Sequence, residues 1–133
     1  MSARRVPVPD GAEPNLVGQA VNAIRAGRLI VLPTETVYGL VADPRSPESV
    51  ERVRDVKRRP EGLVFTHHVA DREALAALVP PPPARVVRLL DRYWPGPLTV
   101  VLPDGHHGSL GLRLPAHEFT LQILGQAGGE EFG

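Results

Sequence analysis

The sequence predicts an α/β fold in which helices pack on a twisted mixed sheet. Segments with helical apolar spacing alternate with short strand-like segments along the 133 residues. Two of the latter are strongly apolar, which is typical of strands buried on both faces: 29–32 throughout, and 98–102 except for Thr99. No hairpin turn signal joins the middle strands, so we expect mixed or parallel pairing.

Length and composition indicate one domain with a real hydrophobic core. We expect residues 1–14 to be a loosely ordered N-terminus and residues 15–133 to form the domain. The absence of cysteine excludes disulfides and thiolate metal sites. No apolar run is long enough to span a membrane, so we expect a soluble cytoplasmic protein. The formal net charge of zero argues against a protein that depends on non-specific nucleic-acid binding.

Capping residues and periodicity define the elements. Asn15 is predicted to cap the first helix and Gly27 to end it. Ser46, with Pro47 just inside, is predicted to start the second helix, whose apolar residues recur at helical spacing. The remaining predicted elements are strands at 63–69, 98–102 and 110–114 and helices at 71–78, 84–93 and 118–126.

The most informative segment is 32–40, Leu-Pro-Thr-Glu-Thr-Val-Tyr-Gly-Leu. It follows the apolar strand 29–32, so polar side chains gather where that strand ends. Ligands bind at strand ends in open α/β sheets. The alternative is an ordinary connection between two strands, because Pro, Thr and Gly suit turns.

Familiar catalytic motifs are absent from the sequence. It contains no Ser-His-Asp set, no His-Glu-x-x-His and no glycine-rich phosphate loop of common spacing. Hydrolase and common nucleotide-fold interpretations therefore lack support. Asp104, His106 and His107 are close in sequence, but a glycine-flanked loop favours solvated side chains over a metal site. We expect no protein-bound metal.

Cations and histidines supply the candidate binding groups. Residues 57–59, Lys-Arg-Arg, fall in a last helical turn, where the helix dipole favours cations. Three in succession exceed what the dipole requires, which indicates an anionic ligand such as phosphate. His67 and His68 alternate across a strand, so at most one can face a pocket. Arg113 lies in an apolar strand and either faces solvent or pairs with a buried or ligand anion.

Five motifs in order resemble the YrdC-type threonylcarbamoyl-adenylate synthases, over about residues 15–125. The motifs are the segment 32–40, Lys57-x-Arg59-Pro60, His68-Val69, Trp94-Pro-Gly-Pro-Leu-Thr99 and Leu112-Arg-Leu-Pro115. The resemblance implies a twisted α/β YrdC-like fold with a concave, positively charged face.

The resemblance also implies a reaction. L-Threonine, bicarbonate and ATP, with Mg2+, give threonylcarbamoyl-AMP and pyrophosphate, and partner proteins use the product to modify tRNA. The implied roles are threonine binding for Thr34, His68 and Arg113, nucleotide binding for Lys57, Arg59 and Ser109, and shaping of the pocket for Tyr38 and Thr99. Such a reaction requires aligned, charged substrates rather than a protein nucleophile, which agrees with the residue types present.

Two departures from the family pattern define further expectations. An Asn-Pro-Leu stretch expected after Pro60 is absent, and the sequence stops at Gly133 before a Ser-Ala-Asn strand. We therefore expect a domain that lacks its last part, an open sheet edge or pocket wall, and self-association. The alternative function is an inactive YrdC-like domain that binds nucleotide, double-stranded RNA or tRNA through residues 52–59. A carbamoyl-transfer domain, as in hydrogenase maturation proteins, is a third and weaker hypothesis.

Overall fold

The computed structural model describes Pro7 and residues 14–57, 66–127 and 130–132, with backbone alone for Lys57 and residues 130–132. Six strands and five α-helices occur in these ranges, with a 3-10 turn at Arg72–Ala74. The helices are α1 (Pro14–Arg25), α2 (Pro47–Lys57), α3 (Leu75–Leu78), α4 (Ala84–Tyr93) and α5 (Glu118–Ala127). The strands are β1 (Ile30–Leu32), β2 (Gly39–Ala42), β3 (Thr66–His68), β4 (Val100–Pro103), β5 (Ser109–Arg113) and β6 (Glu130–Phe132).

The strands form one mixed sheet in the order β1-β2-β6-β3-β5-β4. Only β3 and β5 pair in parallel among the described strands, and the other four pairings are antiparallel. The mixed α/β fold is therefore confirmed. The last described strand, β6, lies between β2 and β3 rather than at an edge of the sheet. The edges of the described sheet are β1 and β4 instead.

The interpretation of 29–32 as a strand buried on both faces was wrong. β1 is an edge strand that pairs antiparallel with β2, and Val31 is 60% exposed. Leu32, by contrast, is buried on the opposite face. The alternative, a direct strand-to-strand connection, is correct: residues 33–38 join β1 to β2. Four apolar residues in a row do not distinguish a central strand from an edge strand that packs on one side only.

Three apolar clusters fix the helices on the two faces of the sheet. On one face, α1 and α5 cover Leu32 and Val41. On the opposite face, α3 and α4 cover Leu102 and Leu112. α2 packs against Ala42 on that second face. Burying these apolar faces supplies the main favourable free energy of folding.

Strand register identifies a part of the sheet that none of the described helices covers. Val41 lies on the same face as Thr66, because both pair with the same residue of β6. Thr66 is the register partner of Gly111, which is the partner of the exposed Val101. None of the three clusters of described residues extends over this part of β3, β5 and β4. We call it the open face.

The predicted element ends agree with the structure at several points. Ser46 Oγ accepts a hydrogen bond from Ser49 N, as expected of a cap at the start of α2. Gly27 adopts a φ of +81°, as expected of a residue that ends a helix. α1 begins at Pro14 rather than after an Asn15 cap. No helix in the described ranges is long and apolar enough to cross a membrane.

Candidate functional site

β5 divides its residues between the core and the open face. Leu110 and Leu112 pack into the apolar cluster under α4, whereas Ser109, Gly111 and Arg113 alternate onto the open face. This alternation places three residues of one short strand on the open face, of which Ser109 is exposed, Arg113 is partly buried and Gly111 is buried. The same strand therefore serves both folding and a candidate site.

Parallel pairing brings a histidine beside the arginine. His68 and Arg113 are register partners at the carboxyl ends of β3 and β5. His67 points to the covered face, so the expectation that only one of the two histidines faces a pocket is consistent with the structure. His68 is 3% exposed, at the buried end of the open face.

Gly111 leaves a gap in the middle of the open face. A Cβ atom built on Gly111 would lie 3.7 Å from Thr66 Oγ1 and 3.7 Å from Thr99 Cγ2. These are ordinary contact distances, so a methyl group would fit at this buried position, and glycine leaves that small space unfilled. Thr99, predicted to shape the pocket, borders this gap.

The loop of residues 33–38 is held by its own hydroxyl groups. Thr34 Oγ1 donates to Val37 O at 2.6 Å, accepts from Thr36 N at 3.2 Å and lies 3.1 Å from Thr36 Oγ1. At the start of the loop, the buried Thr120 of α5 donates its hydroxyl hydrogen to Pro33 O. The loop is therefore ordered from within and anchored to α5.

Arg113 joins the loop to the sheet. Its Nη2 donates to a Glu35 carboxylate oxygen, Oε1, and to Thr36 Oγ1 at 3.2 Å. The other Glu35 oxygen, Oε2, accepts from Ala116 N at 2.9 Å. Both side chains are largely buried, with 16% of Arg113 and 19% of Glu35 exposed. An arginine in an apolar strand has thus found a protein anion at the rim of the open face.

The buried environment determines the charges of these groups. Burial lowers the pKa of His68 to about 3, and the neighbouring Arg113 charge acts in the same direction. His68 is therefore neutral near pH 7. Its Nδ1 donates to Thr66 O at 3.2 Å, which makes Nε2 the acceptor nitrogen of the neutral ring.

Glu35 remains ionised for a different reason. Burial alone would raise the pKa of its carboxyl, but the hydrogen bonds from Arg113 and the backbone and the positive charge of Arg113 outweigh burial. The net pKa of Glu35 lies below its ordinary value. The pair therefore stays charged near neutral pH, and its two charges offset each other.

The structure brings together the three residues predicted to bind threonine. Thr34 is linked to Arg113 through Thr36, and His68 lies beside Arg113. The hydroxyl hydrogen of Thr34 is already donated to Val37 O within the loop, however. Thr34 therefore stabilises the loop as well as lying near Arg113. The role of each residue stays a prediction.

The predicted nucleotide-binding and pocket residues are placed less completely. Ser109 lies on the open face at the end of β5 away from Arg113. Tyr38 is exposed in the loop just before β2. The side chain of Lys57, whose backbone ends α2, and the whole of Arg59 lie outside the described residues.

Sequence reasoning missed Glu35 and Gly111. Glu35 lies in the most informative segment, yet its partner Arg113 is 78 residues away, so spacing could not identify the pair. The sequence signal that could have indicated such a partner was Arg113 itself, because a cation within an apolar strand requires a nearby anion when it is buried. Gly111 gave no signal before β5 was known to border an open face.

The loop after β4 behaves as an ordinary turn. Asp104 Oδ1 accepts from His106 N at 2.7 Å and from Gly108 N at 3.1 Å. The carboxylate therefore organises its own loop. Across the part of the chain that the structure describes, no three His, Asp or Glu side chains are grouped so that they could hold a metal ion.

Comparisons with known proteins agree on one family. The sequence model of the Sua5/YciO/YrdC family, described as "Telomere recombination", matches residues 22–130. A threonylcarbamoyl-AMP synthase of Pyrococcus abyssi is 38% identical over 114 residues, which cover 79% of this chain and 34% of that protein. A threonylcarbamoyl-AMP synthase of Halorhodospira halophila is 34% identical over 132 residues, covering 91% of this chain and 68% of that protein.

A solved structure gives the same result. The crystal structure of P. abyssi Sua5 complexed with L-threonine superposes with a TM-score of 0.84 at 34% identity. The match covers 91% of this chain and 38% of that one. The chain thus spans about a third of the length of the P. abyssi protein and about two thirds of the H. halophila protein.

Proposed function

This chain belongs to the Sua5/YciO/YrdC family, and from that membership we propose that it binds L-threonine on the open face and takes part in forming threonylcarbamoyl-AMP. The observation that carries the proposal is the group formed by Arg113, neutral His68 and the 33–38 loop at the rim of an uncovered sheet face. The related P. abyssi protein named threonylcarbamoyl-AMP synthase, and the related Sua5 structure complexed with L-threonine, support the same class of ligand.

Two residues of the site are suited to binding threonine. A guanidinium is the strongest side-chain partner for a carboxylate, so Arg113 takes the α-carboxylate. His68 is the register partner of Arg113, and its lowered pKa keeps it neutral near pH 7, so it adds no charge beside the guanidinium. Its role in holding threonine stays part of the proposal.

The proposed chemistry proceeds by alignment of substrates. The amine of threonine combines with bicarbonate to form a carbamate and water, and a carbamate oxygen then attacks the α-phosphorus of ATP, releasing pyrophosphate. No bond to the protein is needed, so binding and orientation supply the rate enhancement. Ser109, Lys57 and Arg59 are the proposed nucleotide-binding residues, and Thr99 and Tyr38 border the pocket.

Mg2+ belongs to this proposal only as a companion of the nucleotide. The described residues hold no cluster suited to a resident metal ion. The triphosphate therefore carries the ion, and none of this chain's described carboxylates is assigned to it. Cytoplasmic location and transfer of the product to tRNA-modification proteins remain part of the proposal as well.

Mass spectrometry of the reaction tests the function. The chain is incubated with ATP, Mg2+, L-threonine and bicarbonate, and threonylcarbamoyl-AMP is measured against mixtures that omit one component. We expect product only in the complete mixture and its loss in Arg113→Lys, because a lysine cannot keep the planar contacts of the guanidinium. Arg88→Lys makes the same substitution on α4, away from the open face, and should keep activity. Equal product from both variants would contradict the proposal.

The alternative of an inactive RNA-binding domain has less support. Of the cations proposed for it, Arg52 donates to Gly27 O and Arg54 pairs with Glu51. Both are therefore engaged within the protein, and no described feature favours RNA over small anions. Retention of RNA that falls steeply with salt, without any response to threonine, would support this alternative.

A further inference from the structure

Glu35 is bound in an unusual way for a loop carboxylate. One oxygen accepts from the guanidinium of Arg113 and the other from the backbone N–H of Ala116. The carboxylate thus connects two places: the side chain of Arg113, the last residue of β5, and the backbone of Ala116, three residues further on. A solvated loop glutamate would make no such paired contacts, whereas the side chain of Glu35 is 19% exposed.

The contacts of the Arg113 guanidinium show what this arrangement leaves available. Arginine carries five N–H donors in a rigid planar fork. The two on Nη2 are directed to Glu35 and Thr36. Nε is buried without a partner. Nη1 makes no hydrogen bond to a described residue, and the Arg113 side chain is 16% exposed, so Nη1 is the part of the fork that the described protein does not use.

We infer that Glu35 is a positioning residue that fixes the Arg113 guanidinium so that Nη1 meets the carboxylate of the amino-acid ligand. The inference rests on the proposed function. An unrestrained arginine side chain would lose rotamer freedom when a ligand binds, which weakens binding. The Arg113 side chain has already lost this freedom on folding, so ligand binding has a smaller entropic cost. Glu35 does not touch the ligand carboxylate; it acts through Arg113.

A competing role for Glu35 is open to the same test. If Glu35 occupied the position that the ligand carboxylate requires, it would have to leave Arg113 before threonine binds. Removing its charge would then strengthen threonine binding. Positioning predicts the opposite, because a freed guanidinium must be ordered again by each ligand. The sign of the change in affinity therefore separates the two roles.

The experiment is titration calorimetry of the full chain with L-threonine. Glu35→Gln keeps the shape and an oxygen for Ala116 N but removes the charge that holds Arg113. We expect threonine affinity to fall by about tenfold, the size of one charge-assisted hydrogen bond, with ATP affinity unchanged. Glu73→Gln, an exposed matched control in the Arg72–Ala74 turn, should bind like the wild type. Unchanged or tighter threonine binding by Glu35→Gln would overturn the inference.

Two further measurements separate positioning from a general loss of structure. In a background of Arg113→Lys, Glu35→Gln should weaken threonine binding no further, whereas additive losses would show that Glu35 acts independently of Arg113. Thr36→Val removes the second acceptor on Nη2, together with the Thr36 hydroxyl contact to Thr34 Oγ1, and should weaken binding two- to threefold. This variant tests the inference even if Glu35→Gln fails to fold, and wild-type affinity in it would contradict the inference.

The proposed function and this inference fail in different ways. If the wild-type chain binds no threonine, the proposed function fails whatever Glu35 does. If the wild type binds threonine and Glu35→Gln binds it equally well, the proposed function stands and the positioning role is wrong.

Discussion

The two faces of β5 differ in role: one packs into the core, and the other belongs to the candidate binding site. Leu112 is buried and Leu110 partly buried under α4, while Gly111 and Arg113, one position along in each case, belong to the open face. The covered face is apolar and continuous. The open face is polar, contains a glycine gap and ends in an arginine tied to a loop. Stability and ligand binding are therefore encoded in alternating residues of one strand and can be changed separately.

The largest expected effect is on the covered face. Leu112→Ala removes a fully buried side chain and should lower the free energy of unfolding by about 2–5 kcal/mol, because a cavity remains. Urea unfolding measures this loss. Threonine affinity of the folded fraction should change little. A loss of stability below about 1 kcal/mol would show that this face is less tightly packed than described.

The buried histidine of the open face predicts a dependence of stability on pH. The pKa of His68 is lowered from 6.5 to about 3, so between those values the unfolded state binds more protons than the folded state. The stability due to neutral His68 is complete above pH 6.5 and decreases on acidification, by about 1.4 kcal/mol per pH unit. Urea unfolding from pH 7 to 5 should show a shallower decrease in His68→Gln. Parallel curves would contradict the assignment. His67 also has a lowered pKa and contributes to the pH dependence of both proteins. The contribution of His68 is therefore the difference in slope between the wild type and His68→Gln.

The anchor between α5 and the loop should have an intermediate effect. Thr120→Val removes the hydroxyl that donates to Pro33 O in a buried position. We expect a loss of about 1–2 kcal/mol in unfolding free energy, because the carbonyl is left without this donor. Thr120→Ser keeps the hydroxyl and is the matched control. If valine and serine give equal stability, the hydrogen bond contributes nothing measurable.

The smallest effect on stability is expected at Gly111. An added methyl group would lie at ordinary contact distances from Thr66 and Thr99, so Gly111→Ala should change stability by less than about 1 kcal/mol. It should nevertheless reduce ligand binding on the open face, because the methyl group fills the gap. Parallel thermal unfolding and calorimetry measure both properties. Unaltered binding of both threonine and ATP would exclude this gap from the site.

Local signals in the sequence predicted much of the fold. α4 has the predicted bounds 84–93, and α5 extends one residue beyond the predicted 118–126, because apolar spacing defines each. The predicted apolar face of α2 was only partly correct, since Val53 is buried but Val56 is exposed. Short strands were harder. β2 was not predicted because residues 39–42 follow the loop without a turn signal of their own.

Long-range pairing explains the remaining errors. The position of β6 inside the sheet depends on partners in β2 and β3, far away in sequence, and its three residues carry no periodic pattern. Arg113, His68 and Thr34 were proposed as site residues from the sequence, and their roles stay predictions. The contact of Glu35 with Arg113 became visible only in the structure. Self-association stays an untested prediction, now directed at the edge strands β1 and β4 rather than at a missing strand.

The central claim is that threonine binds the open face and not the covered one. Titration of isotopically labelled protein with L-threonine, followed by the amide signals in two-dimensional NMR spectra, tests it directly. We predict saturable shifts at His68, Gly111, Arg113 and residues 34–36, with the amides of α4 unmoved. Shifts confined to α3 and α4, or no shifts at all in a folded protein, would contradict the account.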